Sequence, residues 1–173
     1  NFPVLGPDGQ WVEVNRMADI AAAFRAENID ALIAIGGDGS LSIAHALSQY
    51  GVPVVGVPKT IDNDLDETVA TFGFDTAVTF ATECLDRLHS TAESHQRIMV
   101  VEVMGRYAGW ITLFAGVAAT ADAILIPEIP YDITKVADKI KQRDEAGRHF
   151  SIVVVAEGAK PLGGELTIVG KSV

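Results

Sequence analysis

Lys59, Thr60, Asp62 and Asp64 place one cation, one hydroxyl and two carboxylates within six residues. A lysine neutralises phosphate, a threonine hydroxyl hydrogen-bonds it, and two neighbouring carboxylates can divide proton acceptance from metal binding. Upstream stands a second concentration, Gly36-Gly37-Asp38-Gly39-Ser40. Glycines there allow positive φ angles and let backbone N–H groups approach a ligand closely, while a helix N-terminus adds partial positive charge. Such a turn suits phosphate. Asp38 would repel a bare phosphate, so its presence makes better sense if a divalent metal bridges carboxylate and phosphate oxygens. The plainer alternatives are an ordinary β–α turn with Asp38 or Ser40 as N-cap, and a solvated acidic loop at 59–64.

The elements that must position these residues follow from the apolar pattern. Ala31 to Ile35 reads as a fully buried strand and Leu41 to Gln49 as a helix; Val52 to Val57 reads as the next strand. Before them, Asn1 to Gly9 reads as loop, and Asn15 as the N-cap of a helix reaching about Glu27. After them, Phe74 to about Ala92 carries apolar residues at helical spacing. Arg97 to Val103 reads as a strand ending in Met104-Gly105-Arg106, and Ala108 to Ala121 as a helix. Ala123 to Ile126 is a short strand, a helix begins near Asp132, and Phe150 to Ala156 is a strand ending at Glu157-Gly158. Strands alternate with helices, which predicts an α/β fold of Rossmann-like parallel sheets with helices on both faces. GGDGS, PKTIDND, MGR and EG each follow a strand directly, so parallel strands would carry all of them to carboxyl edges, where open α/β sheets bind ligands.

Composition bounds the partners. The chain has 173 residues, 49% of them hydrophobic, and can bury a substantial core. Its net charge of −10 disfavours nucleic acid and anionic membranes, so an anionic substrate must be held by a local cluster such as Lys59, Arg97 and Arg106. Ala108 to Ala121 is too short for a membrane span. One cysteine, Cys84, and no secretory signal point to the cytoplasm. His45 and His95 read as helix-face and loop residues without a metal-ligand partner.

From about Ala31 to Glu157 the chain resembles the phosphofructokinases. The motifs are GGDGS at 36–40, TIDND at 60–64, GFDTA at 73–77, SHQR at 94–97, VVEVMGRYAG at 100–109, and Glu157. GGDG also occurs in NAD and lipid kinases; TIDND and MGR together are far more specific. The resemblance implies transfer of a phosphoryl group to the 1-hydroxyl of fructose 6-phosphate. It implies that Asp62 accepts the hydroxyl proton, that Thr60 contacts the moving phosphoryl group, and that Thr60, Ile61 and Asp62 line the sugar site. Asp38 would hold Mg²⁺ with Asp64 close by, and Gly37, Asp38, Gly39 and Ser40 would line the ATP site. Met104, Gly105 and Arg106 would hold the sugar phosphate, Arg106 also countering charge on the phosphoryl group. Glu157 would bind sugar hydroxyls. Arg97 would reach a neighbouring subunit's sugar-phosphate site, so the partner expected is a homo-oligomer.

Residues 1–73 would then be part of the phosphoryl-donor domain and 74–173 part of the sugar-phosphate domain. The family's glycine-rich nucleotide turn near the N-terminus and its later Arg and His residues have no counterpart here, so the chain is expected to be the inactive central piece of a longer protein. In the short bacterial enzymes an effector-site arginine falls where His89 stands, which puts nucleotide regulation in question. Gly39 and Lys59 bear on the donor. Pyrophosphate enzymes of the family commonly carry aspartate at the first position and lysine at the second, and many ATP enzymes carry glycine at both. Gly39 leaves room for a nucleotide and Lys59 excludes neither donor, so ATP is expected, with pyrophosphate, a non-catalytic binding or assembly module, and another GGDG kinase as alternatives.

Overall fold

The computed structural model describes residues 2–165. They form parallel sheets flanked by helices, in two compact units that divide between Lys59 and Thr60.

The first unit opens with a hairpin where a loop is expected from the sequence. β1 (Phe2–Leu5) pairs antiparallel with β2 (Trp11–Val14), Val4 opposite Val12 and Leu5 opposite Trp11. Pro7-Asp8-Gly9 supplies the turn: Gly9 N–H donates to Gly6 O at 3.0 Å, and Asp8 Oδ1 accepts from Gln10 N at 3.3 Å. That Pro-Asp-Gly chemistry was the signal for a hairpin. Next comes α1 (Met17–Ala26), whose N-cap is Arg16 and not the expected Asn15, one residue earlier, although Asn15 Oδ1 still accepts Met17 N–H at 3.0 Å. β3 (Leu32–Gly36), α2 (Asp38–Ser48) and β4 (Val54–Thr60) follow, with β3 and β4 parallel and Ile33 opposite Val55. Met17, Ala21, Leu47 and Val52 form the buried cluster, with Leu32 and Val54 packed against it.

β3 is buried on one face only. Ile33 is 65% exposed, Ile35 63% and Val55 61%, against the expectation of a fully buried strand. Side chains alternate across a strand, and among the described residues of this unit only the Leu32–Ala34–Val54 side is covered.

The second unit starts with the loop after Thr60 and the two-residue β5 (Phe72–Gly73), then α3 (Phe74–Ser94). β6 (Ile98–Val103), α4 (Trp110–Ala118), β7 (Ala123–Leu125), α5 (Ile133–Glu145) and β8 (Ser151–Ala156) complete it. The sheet order is β6-β8-β7, all parallel, so the last strand in sequence is the central one. Five of its six residues are buried, and Ile152 and Val154 join Leu85, Ala92, Ala115 and Ala119 in the core. An ion pair between Arg143 of α5 and Asp122 spans 2.8 Å; Asp122 also accepts Ile152 N–H, and Arg143 donates to Ser151 Oγ. Arg143 of α5, a helix with no fully buried residue, thereby holds the amino end of β8 and the residue before β7 through charge-assisted bonds. Among the described residues no helix is long and apolar enough to cross a membrane.

Candidate active site

In the first unit the glycine turn is built differently from the expectation. α2 begins at Asp38, three residues before Leu41, with Gly37 as its extended N-cap (φ −87°, ψ −166°) and no side-chain cap. Neither Asp38 nor Ser40 is therefore the N-cap. Gly36, Gly37 and Gly39 all keep ordinary φ angles, so positive φ is not why glycine stands there. Space is the reason at Gly36, where a Cβ would lie 2.4 Å from Ser40 Cβ. At Gly39 a Cβ would meet nothing within 4 Å, so the surface above it is open. Asp38, Gly39 and Ser40 are exposed, and the side chains of Asp38 and Ser40 have no hydrogen-bond partner among the described residues. Four N–H groups at a helix start need partners from outside the helix, and an anion can supply them.

The second unit treats its loop in the opposite way. β4 runs on through Lys59, which is exposed, to Thr60. Thr60 Oγ1 donates to Asp62 Oδ2 at 3.1 Å and accepts from Asp62 N–H at 3.2 Å, closing a ring that aims the half-buried carboxylate. Asn63 follows with φ +54°, a left-handed conformation that asparagine tolerates. Its Oδ1 accepts Thr71 N–H at 2.9 Å, and Thr71 Oγ1 donates to Thr60 O at 2.7 Å. Ile61 and Asp64 are exposed beside them.

Met104-Gly105-Arg106 leaves the carboxyl end of β6, and Glu157 leaves that of its neighbour β8. Glu157 N–H donates to Val103 O at 2.9 Å and Gly158 N–H to Gly105 O at 3.1 Å. A Cβ on Gly158 would fall 2.0 Å from Arg106 O, so only glycine lets the two turns meet. The Arg106 guanidinium lies 5.2 Å from the centroid of the Tyr107 ring, and Met104, Arg106 and Glu157 are all exposed. Glu128, beyond β7, accepts Gly109 N–H at 2.8 Å and so fastens the start of α4. Arg97 stands apart, just before β6 begins. Six strand residues separate it from Met104, or ~20 Å, so it cannot join the MGR turn of its own chain.

A family model described as phosphofructokinase matches residues 8–172. The chain belongs to the phosphofructokinase family. It is 63% identical over 142 residues to an ATP-dependent 6-phosphofructokinase 2 of Clostridium perfringens, covering 82% of this chain and 39% of that protein. Against an ATP-dependent 6-phosphofructokinase of Mycobacterium leprae the identity is 62% over 140 residues, covering 81% and 41%. Among solved structures, phosphofructokinase of Saccharomyces cerevisiae matches with TM-score 0.77 and 32% identity, over 84% of this chain and 23% of that one. A pyrophosphate-dependent phosphofructokinase of Marinobacter aquaeolei matches with TM-score 0.77 and 30% identity, over 90% and 44%. This phosphofructokinase chain thus spans 39% to 41% of the length of those two curated relatives.

For a phosphofructokinase the donor set suits Mg²⁺ bound in the manner of phosphoryl-transfer sites. The described residues hold no group of three or more His, Cys, Asp or Glu side chains fit to cage a metal. Asp38 and Asp64 are instead single exposed carboxylates without protein partners among the described residues. Mg²⁺ keeps several waters and binds through one or two carboxylates plus substrate phosphates, so either aspartate fits that use.

Thr71, Asn63, Glu128 and Gly158 carry or brace the site loops, and residue type and spacing mark none of them as ligand-binding. Pro-Lys-Thr-Ile-Asp-Asn-Asp already contained Asn63, and the positive φ preference of asparagine was a usable hint. Thr71 and Glu128 carried no local signal.

Proposed function

We propose that this chain supplies part of the catalytic machinery of an enzyme that transfers the terminal phosphoryl group of ATP to the 1-hydroxyl of fructose 6-phosphate. The carrying observation is the Asp62 carboxylate, held by Thr60 in a braced loop at the carboxyl end of β4. In the reaction the sugar O1–H loses its proton to Asp62 as O1 bonds to the terminal phosphorus, and the bond to ADP breaks. Thr60 has a single hydroxyl proton, and here it goes to Asp62 Oδ2. Contact of Thr60 with a phosphoryl oxygen as donor therefore requires that hydroxyl to turn, which frees the Asp62 oxygen to take the sugar proton.

Arg106 would counter charge on the equatorial phosphoryl oxygens, with Met104 and Gly105 shaping the sugar-phosphate pocket and Glu157 binding sugar hydroxyls. Gly37, Asp38, Gly39 and Ser40 would take the nucleotide, Asp38 and Asp64 the Mg²⁺, which neutralises phosphate charge when bound. Residues 1–73 would serve the donor and 74–173 the sugar phosphate. Its setting would be the cytoplasm.

Arg97, at the amino end of β6, supports a homo-oligomer in which it serves a neighbour's sugar-phosphate site. Mixing Arg97→Ala with Asp62→Asn subunits should then restore activity that neither has alone, and verified hybrids without recovery would refute sharing. The open space over Gly39 supports ATP as donor; Lys59, exposed on β4, can meet the phosphates of either donor and so leaves pyrophosphate as the alternative. Steady-state kcat/KM of the complete gene product for ATP and for pyrophosphate decides between them. A preference for pyrophosphate would overturn the ATP reading, and no transfer to fructose 6-phosphate from either donor would overturn the reaction.

A further inference from the structure

We propose that Thr71 is the positioning residue that fixes Asp62 for proton transfer, acting from outside the reacting group. This rests on the reading of Asp62 as the base. Thr71 is only 5% exposed, in a stretch whose other members Val69, Ala70 and Phe72 are exposed. Its hydroxyl proton goes to Thr60 O at 2.7 Å and its N–H to Asn63 Oδ1 at 2.9 Å. Among the described residues these are the side-chain hydrogen bonds that tie the two ends of the loop together. Thr71 grips the residues on both sides of the Ile61–Asp62 pair and does not touch Asp62 itself.

The remaining group of Thr71 connects this grip to the core. Its carbonyl accepts Phe74 N–H at 3.3 Å, at the first residue of α3. Phe74 is buried, and the same helix carries Leu85 and Ala92, both fully buried. The path therefore runs from the packed core through α3 to Thr71, then to the Thr60 peptide and the Asn63 side chain.

The grip has a mechanical use. The Thr60 hydroxyl holds Asp62 Oδ2 and must turn if it is to donate to a phosphoryl oxygen. With that bond released, the carboxylate keeps its place only if the backbone at 60 and 63 stays fixed, which is what Thr71 supplies. The distal loop cannot do so: Asp66 Oδ1 accepts Glu67 N–H and Thr68 Oγ1 donates to Asp66 O, bonds that stay inside the loop.

Thr71→Val keeps the shape and the N–H bond but removes the hydroxyl, leaving Thr60 O without its donor. Thr71→Ser keeps the donor. In the complete gene product, Thr71→Val should lower kcat about 10- to 100-fold, the scale of a small misplacement of a reacting group. KM for ATP and for fructose 6-phosphate should stay within about threefold, because ground-state contacts survive, and Thr71→Ser should recover most of the kcat. Amide hydrogen exchange gives a readout that needs no turnover. Thr71→Val should speed exchange over residues 61–70 while the α3 core amides around Leu85 keep wild-type protection.

Unchanged kcat in Thr71→Val, or a loss that Thr71→Ser does not recover, overturns the proposal. So does unchanged exchange in the loop, or faster exchange that extends to Leu85, which would mark Thr71 as a general stability residue. An inactive wild type would instead sink the reading of the reaction, and the exchange experiment would still decide whether Thr71 holds the Asp62 loop.

Discussion

The glycine turn at 36–40 and the loop at 60–73 both follow parallel strands, yet they are organised on opposite principles. At the first, Asp38, Gly39 and Ser40 stand exposed with no side-chain hydrogen bonds among the described residues, and backbone groups at the start of α2 are what the turn offers. At the second, Thr60, Asp62, Asn63 and Thr71 hold one another through four hydrogen bonds between 2.7 and 3.2 Å. On the proposed reading, the first turn would receive phosphates and a hydrated metal, a task that calls for donors and space left available, and the second would hold the base. A base must instead sit within bonding reach of one proton, and a small displacement there is expensive.

That contrast is open to breakage by substitution. The largest effect is expected at Asp62→Asn, which should lower kcat by about 10²- to 10⁴-fold, the range of general-base contributions, with fructose 6-phosphate affinity within a few fold. Steady-state kinetics and a direct binding titration check it, and a variant that keeps most of its kcat removes Asp62 as base. Gly39→Asp should abolish use of ATP and leave thermal stability near wild type, since a Cβ there meets nothing within 4 Å. ATP turnover at the wild-type rate in Gly39→Asp would mean that open space at the turn does not govern the donor.

Gly36→Ala separates packing from function within the same turn. Its Cβ would sit 2.4 Å from Ser40 Cβ. Overpacking of this kind costs about 1–3 kcal/mol. Gly39→Ala, inside α2 and in open space, should be neutral or stabilise by up to about 1 kcal/mol. Urea denaturation of the two variants tests the pair, and equal stability would refute the account of why Gly36 is glycine. The smallest effect is expected away from both loops, at Asp132. The Thr134 hydroxyl and N–H hold this carboxylate below its ordinary pKa. A lowered folded-state value adds stability above the ordinary range and loses it as the pH falls through the lowered value. Asp132→Ala should therefore lower the melting temperature slightly at neutral pH, with the difference shrinking below the ordinary carboxylate range; a constant difference across that window would exclude the ionised cap as its source.

Local pattern was enough for much of this molecule. The alternation of apolar runs with helical spacing marks β3, α3, β6, β7 and β8 within two residues of their observed bounds, because hydrophobic periodicity is a property of neighbouring residues. By contrast, α2 begins three residues early and β4 runs three residues further, through residues that the apolar pattern does not count. It misled where burial depends on a second layer. Ile33 and Ile35 look like residues of a doubly covered strand, and nothing in their own stretch says that among the described residues only the opposite face is covered. The hairpin at Phe2–Leu5 and Trp11–Val14 was legible in Pro-Asp-Gly, but the prolines and glycines read more simply as loop.

By itself the sequence determined the family and the order of motifs, and it determined that GGDGS, PKTIDND, MGR and EG stand at strand ends, since all of these are carried by residue type and spacing along the chain. Tertiary structure alone decided that Gly158 must admit the Arg106 carbonyl and that Thr71 holds Thr60 across eleven positions of sequence. Each of these depends on where the backbone returns after leaving a strand. The hydrogen bond of a buried threonine goes to whichever carbonyl that return brings within reach, and no local periodicity encodes the partner.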